Sequence, residues 1–367
     1  MIDNHDKING ENSEELERKD TSYVKCPNCG ANMAFDPITQ TLKCDHCGTF
    51  EDFSKSRKVK ELDILDCLGE SENWDTESSV YRCNNCGAVV VLSPHESAKK
   101  CPYCGTSHIV KSSELAGLKP NAVYPFTITK EDGLDKAKLW AKKRFFAPKA
   151  FKKNLLVDNM QGVYEPCFTF DSHTYSTYQG RIGKKHTRVV GSGKNKRTET
   201  YIVWRRISGT FFYNFDDVTI NTTSSYGQKE LDKLMPFDNE KLSVYEQEFL
   251  LGYMARRHEK SVNDSWEEAK DLMDAKLKRL ILNQYDHDVV DYINISTSHE
   301  KVTYKYVLLP IYNLAFNYKK KNYQVFVNGN TGKITGKSPV SALKVLCLIG
   351  GIILGLALLV LIFNLGN

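Results

Sequence analysis

Residues 162–182 read GVYEPCFTFDSHTYSTYQGRI. Aromatic and β-branched residues dominate the stretch, which favours a pleated, half-buried strand. Two later stretches have the same character, TYIVWRRISGTFFYNF (200–215) and DVTINTT (217–223), and DVVDYINISTSHEKVTYKYVLLPIYNLAFNY (288–318) returns to it. Together they predict a larger α+β domain over 122–338 built on an antiparallel sheet. AVYPFTIT (122–129) adds a strand, and KNYQVFVNGNTGKITG (321–336) reads as a hairpin with a glycine-containing turn. Helices are predicted where the apolar period changes from two to 3.6. One runs from Lys130 to about Phe146 behind a Thr129 cap, with Pro148 interrupting it. A second covers NDSWEEAKDLMDAKLKRLILNQY (263–285), with Asp264 or Ser265 near its start.

Upstream of this domain the chain repeats itself. Four Cys-x-x-Cys pairs occur, Cys26/Cys29, Cys44/Cys47, Cys83/Cys86 and Cys101/Cys104. The second set is the first displaced by 57 residues at every position, with 14 residues between the pairs in both halves. Two tight turns that each aim two sulfurs at one ion complete a tetrahedron, and the intervening residues suit a short hairpin. Gly30, Gly48, Gly87 and Gly105 follow the second cysteine of each turn, where positive φ is needed. The pattern predicts ribbon one over 21–50 and ribbon two over 81–108, each holding one structural zinc on four thiolates. Four thiolates close the coordination sphere and leave no position for substrate. His46 and His108 are alternative ligands by position. A disulfide framework would normally accompany a secretory signal, and the polar, acidic start MIDNHDKINGENSEELERKD is not one. Residues 1–20 read as disordered, and 51–80 as an acidic linker with a short helix.

The 367 residues suffice for two or three domains. The net charge of +5 hides an asymmetry: residues 1–120 carry 14 Lys and Arg against 20 Asp and Glu, the remainder 36 against 25. This excludes a basic histone-like protein. VLCLIGGIILGLALLVLIF (345–363) is 19 residues without charge, about 28 Å as a helix, and predicts one C-terminal transmembrane helix. Lysines precede it and none follows, so the expected topology is a single-pass, tail-anchored membrane protein with its N-terminal domains cytoplasmic.

Between Arg181 and Arg206 nine Lys and Arg accompany one acid, Glu199, with Tyr175, Tyr178, Tyr201 and Trp204 nearby. Read as a glycine-loosened loop between strands, it is a candidate phosphate or lipid contact through Arg181, Lys184, Lys185, Arg188, Lys194, Lys196 and Arg197. The alternative is a solvated hairpin tip that protects a strand edge. Gly191-Ser192-Gly193-Lys194 is not a nucleotide-binding loop, because Arg188 stands where a glycine is required and Asn195 where Ser or Thr is. The acids around His287, namely Asp286, Asp288 and Asp291, read as a polar segment boundary. No catalytic residue and no small-molecule substrate emerge, so the expectation is a protein that is not an enzyme.

The two CxxCG…CxxCG ribbons, the strand-rich domain ending in LLPIYNLAFNYKKKNYQVFVNGNTGKITGKSP (308–339) and the apolar terminus together resemble a bacterial family. Its members are largely uncharacterised membrane-anchored double zinc-ribbon proteins, often labelled TFIIB-type zinc ribbon-containing or after the primosomal replication-restart helicase. The resemblance implies zinc ligands at the eight cysteines named above. It does not imply helicase activity, because the ATP-binding loop is absent. The hairpin YQVFVNGNTGKITG (323–336) is similar to the last hairpin of small PepSY-type modules. The expected function is a membrane-anchored adaptor presenting a cytosolic protein-interaction surface. The alternative is a membrane-tethered nucleic-acid-binding protein.

Overall fold

The computed structural model describes residues 24–53, 58–65, 79–85, 88–92, 101, 109–112, 118–153, 160–224, 226–318 and 321–365. Strands β1 (Met33–Asp36), β2 (Thr41–Cys44) and β3 (Phe50–Glu51) form a small antiparallel sheet, followed by β4 (Leu62–Asp63). Then come β5 (Ser79–Cys83), β6 (Val89–Leu92), β7 (Ile109–Ser112), β8 (Ala122–Val123), α1 (Lys130–Lys142) and α2 (Lys149–Lys153). The long strands β9 (Met160–Val190) and β10 (Arg197–Asn221) lead to α3 (Gln228–Leu234), β11 (Ser243–Val244), β12 (Met254–Arg256) and α4 (Val262–Asn283). The chain continues with β13 (Val289–Tyr318), β14 (Lys321–Asn328), β15 (Ile334–Gly336) and α5 (Ala342–Leu365).

The 31 residues of β9 span about 100 Å and organise the large sheet. One edge of β9 pairs antiparallel with β13 from Met160 to Gly183. The other edge is shared. At its base Val163 and Tyr164 take β12 in parallel, and from Cys167 outward β10 pairs antiparallel. β8 also joins β13 in parallel, so the sheet is mixed rather than purely antiparallel. The strands around the second cysteine repeat belong to it too: β6 pairs with β12, and β5 lies between β6 and β7. Four-residue strands bury too little surface to stand alone, and the large sheet supplies the missing face.

Burial along β9 maps the two regimes. Residues 163–170 are all buried within the core. From Ser172 to Ile182 alternate residues are buried, and the side chains between them face solvent. Helix α4 covers the buried face through Ala269, Met273, Leu277 and Ile281, spaced one turn apart. Ile281 closes a cluster with Tyr178, Ile182 and Ile207. Past Gly183, which faces Val289 at the start of β13, the described residues show only a two-stranded hairpin of β9 and β10. We call the three-stranded stretch and this hairpin the arm.

The arm bends at its root. Asp216 and Asp217 of β10 together oppose Asp171, and Lys301 and Val302 of β13 together oppose Ser172. These bulges flank one level of β9, and Asp217 (φ 52) and Lys301 (φ 50) take the left-handed conformation there. Inside the bend lies Lys305, 6 % exposed, its Nζ 2.8 Å from Asp217, 3.2 Å from Asp171 and 3.2 Å from Glu61. Burial disfavours the ammonium, but Asp217 and Asp171 outweigh that and raise its pKa. Glu61 arrives from the segment between the ribbons, which pairs with β13 through β4.

Two helix starts follow the sequence closely. The Thr129 hydroxyl accepts from the N–H of Asp132 at 3.1 Å, and Ser261, ahead of the expected position, accepts from Asp264 at 3.0 Å. Helix α1 stops at Lys142, four residues short of expectation, and a turn over 143–147 precedes α2.

The C-terminal expectation is corrected. Residues 342–365 are helical, yet among the described residues no helix is long and apolar enough to cross a membrane. The transmembrane, tail-anchored and single-pass cytoplasmic-facing readings fall with it. Lys344, expected as a flanking charge, instead donates to the carbonyls of Phe145 (2.9 Å) and Ala147 (2.8 Å) and ties α5 to the turn after α1. The expected disordered 1–20 segment and much of the acidic linker lie outside the described residues.

Candidate metal centre

Ribbon one brings its four cysteines together. The Sγ atoms of Cys26 and Cys47 are 3.3 Å apart, those of Cys29 and Cys44 3.5 Å, and all four lie within 4.8 Å of one another. A disulfide needs about 2.05 Å, so these are free thiols. Four sulfurs at about 2.3 Å from one zinc would sit about 3.8 Å apart, within the observed spread. Cys26, Cys29, Cys44 and Cys47 can therefore bind one metal ion. His46 is not part of the cluster.

The turns explain the convergence. The N–H of Gly30 donates to the Cys26 carbonyl and that of Gly48 to the Cys44 carbonyl, both at 2.8 Å. These closures place the glycines at φ +74 and +75, where a Cβ would be strained. Cys26 and Cys44 are buried, whereas Cys29 and Cys47 reach the surface. The Thr49 hydroxyl, 3.1 Å from the Cys47 sulfur, and the Thr49 N–H bring the Cys47 thiol down to about 5, ready to ligate as thiolate.

The ribbon is fixed to the core. The Phe35 ring meets Phe249 at 5.3 Å and Phe53 at 6.0 Å, and its N–H donates to the Leu251 carbonyl at 3.0 Å. Gln40 Nε2 donates to the Phe126 carbonyl at 2.8 Å.

In the second repeat Cys83 and Cys101 are both buried in one cluster with Ala88, Val90 and Val163. The Cys83 N–H donates to the Ala88 carbonyl at 2.9 Å, the same five-residue closure that Cys26 makes with Ala31 at 2.8 Å. Cys86, Cys104 and His108 lie outside the described residues.

Arg181, Lys184, Lys185, Arg188, Arg197, Arg205 and Arg206 sit on paired strands, and only Lys194 and Lys196 fall in the 191–196 connection between β9 and β10. A Cβ on Gly183 would lie 2.5 Å from Ile202, so this glycine admits the Ile202 and Trp204 side chains rather than loosening a loop. Arg181 pairs with Asp291 (3.4 Å) and stacks on Trp204 (5.1 Å). Lys184 takes both Asp286 and Asp288, and the Lys185 N–H donates to Asp288 at 2.8 Å. Arg188 pairs with Glu199 at 2.9 Å and stacks on Tyr201 (5.5 Å). Among the described residues no carboxylate pairs with Lys185, Lys196, Arg197 or Arg206. The Lys194 side chain lies outside the described residues.

Sequence reasoning treated Asp286, Asp288 and Asp291 as a mere boundary. They converge on the basic strand because β13 starts beside Gly183. The signal was an acid-rich strand start facing a base-rich strand. The Lys305 network was also missed. Asp171, Asp216 and Asp217 lie close enough to share a cation, but Lys305 already supplies one to two of them.

Fold and site thus define a sheet-rich α+β protein whose four clustered cysteines, Cys26, Cys29, Cys44 and Cys47, can hold one metal ion. The chain is similar to the Uncharacterized protein YdjG of Bacillus subtilis (strain 168), 28% identical over 334 residues that cover 89% of this chain and 93% of that one. No family model matches the chain, and no solved structure matches it.

Proposed function

We propose that this protein is a non-catalytic zinc-ribbon adaptor that engages another protein through its arm. Zinc is the metal that four thiolates in a tetrahedral ribbon favour. Two structural ions follow from the repeat, one on Cys26, Cys29, Cys44 and Cys47 and one on Cys83, Cys86, Cys101 and Cys104. The observation that carries the adaptor reading is the run Tyr201-Ile202-Val203-Trp204, exposed by 43, 36, 50 and 36 % on the projecting hairpin. Four consecutive exposed apolar side chains on a strand mark an interaction surface.

A photo-crosslinking residue at Val203, and separately at Ile38 on ribbon one, tests this in cells carrying the full chain. Discrete protein adducts from Val203 are expected. Adducts that vanish on nuclease treatment, or no adducts from either position, would overturn it. Nucleic-acid binding is the second reading, favoured by Lys196, Arg197 and Arg206, which no carboxylate pairs among the described residues, beside Tyr201 and Trp204.

A further inference from the structure

We propose that the outer hairpin captures an extended acidic polypeptide segment as an added strand along the free edge of β10; this rests on the adaptor reading and names the chemistry of the partner. Three observations converge on it.

The first is the edge. Among the described residues β10 pairs only with β9, so from Arg197 at the tip inward to Arg206 half of its backbone N–H and C=O groups face away from any strand. Such an edge templates a further strand. Beyond Gly183 the hairpin lacks β13, and a two-stranded ribbon is marginal alone. A third strand would restore there the width that the arm has nearer the core.

The second is the pattern of side chains. Arg197, Glu199, Tyr201, Val203 and Arg205 stand on one face of β10, with Glu199 neutralised by Arg188 at 2.9 Å, and Ile202, Trp204 and Arg206 stand on the other. An added strand therefore meets apolar residues in the middle and cations toward both ends. Its complement is a segment of about nine residues with an apolar, β-branched centre and acidic ends. Arg197 and Arg206 carry no carboxylate among the described residues, so they are available to it. Arg205 is held by stacking on Tyr285 at 5.4 Å and by the Asp286 carbonyl, which leaves its charge unneutralised.

The third is what the same charges exclude. A second copy pairing antiparallel about Tyr201 would set Arg197 against Arg205 of its partner, like charges directly opposite, and pairing about Ile202 would oppose to Arg205 only Glu199, which Arg188 already holds. A nucleic-acid backbone would meet Glu199, Asp286, Asp288 and Asp291 on the same hairpin and its neighbour.

The test uses the full zinc-loaded chain and a fluorescent nine-residue peptide with two acidic residues at each end and alternating Val and Thr between. Fluorescence anisotropy should show saturable binding by about 100 µM peptide. Lys196→Glu/Arg197→Glu should weaken it by about tenfold or more, with circular dichroism and zinc content unchanged. A peptide N-methylated at alternate amides should lose binding, since the main chain carries the contact. Absence of binding overturns the proposal, as does equal binding of the N-methylated peptide. Displacement of the peptide by a 20-nucleotide oligothymidine that binds more tightly, with the same loss in the charge-reversed variant, would assign the hairpin to nucleic acid instead. Protein crosslinks at Val203 without peptide binding would refute the strand addition and leave the adaptor standing. Absence of protein crosslinks would refute the adaptor itself.

Discussion

Replacing Lys305 with Met keeps the length of the side chain and removes the cation that Asp171, Asp217 and Glu61 share at the root of the arm. Three carboxylates lose a partner at 2.8–3.2 Å, and two of them, Asp171 and Asp217, are largely enclosed, at 15 and 26 % side-chain exposure. Breaking a buried pair in this way costs about 3–5 kcal/mol, mostly the penalty of stranded charge. The loss should depend on pH in a definite direction. Burial already raises the Asp171 pKa, and without the ammonium it rises further. A carboxyl whose folded pKa lies above its unfolded value binds a proton more readily when folded, so the variant regains stability as pH falls toward 5. Urea unfolding followed by both tryptophan fluorescence and circular dichroism, at pH 8 and pH 5.5, reads this difference. A deficit below about 1 kcal/mol, or one equal at both pH values, would refute the account of the network.

Other expectations follow from single sites. Cys44→Ser should abolish metal binding at ribbon one, where small modules draw about 10–16 kcal/mol of apparent free energy from zinc. Limited proteolysis should then cut within 24–53 while the core resists; an unchanged digestion pattern would contradict the site. Gly183→Val drives a side chain into Ile202 and Trp204, with a Cβ 2.5 and 2.9 Å from their atoms, and should cost about 1–3 kcal/mol with a shifted tryptophan emission. An unshifted spectrum would count against the packing of the outer hairpin. Burial lowers the His258 pKa below its usual 6.5, against a hydrogen bond to the Lys260 carbonyl. Its contribution is therefore present above pH 6.5 and lost as pH falls through the folded value, and His258→Phe should flatten the stability profile across pH 5–6.5. A variant profile parallel to that of the wild type would contradict this.

The sequence is most legible where structure is local. Cysteine spacing and the following glycines place ribbon one because each turn is closed within five residues, as Gly30 to Cys26 shows. The Thr129 cap and the apolar stripe of α4 are local in the same sense. The arm is legible only in part. Aromatic and β-branched character marks its strands, but nothing in a strand states which partner extends it. Glycines at 183, 191 and 193 suggested a loop, whereas Gly183 serves close side-chain packing within paired strands. The Lys305 network joins residues as distant as Glu61 and Lys305 through two bulges at non-glycine residues, a tertiary arrangement with no local signature. The apolar terminus illustrates a limit of a different kind. Composition alone predicted a membrane span, and the described residues contain no helix long and apolar enough for one.

The metal content of the full chain, purified without added metal or chelator, tests the central claim most directly. The account predicts two zinc ions per chain, falling to one in Cys44→Ser and to one in Cys83→Ser. A chain that folds with no bound zinc, or whose zinc is unchanged by Cys44→Ser, would contradict it.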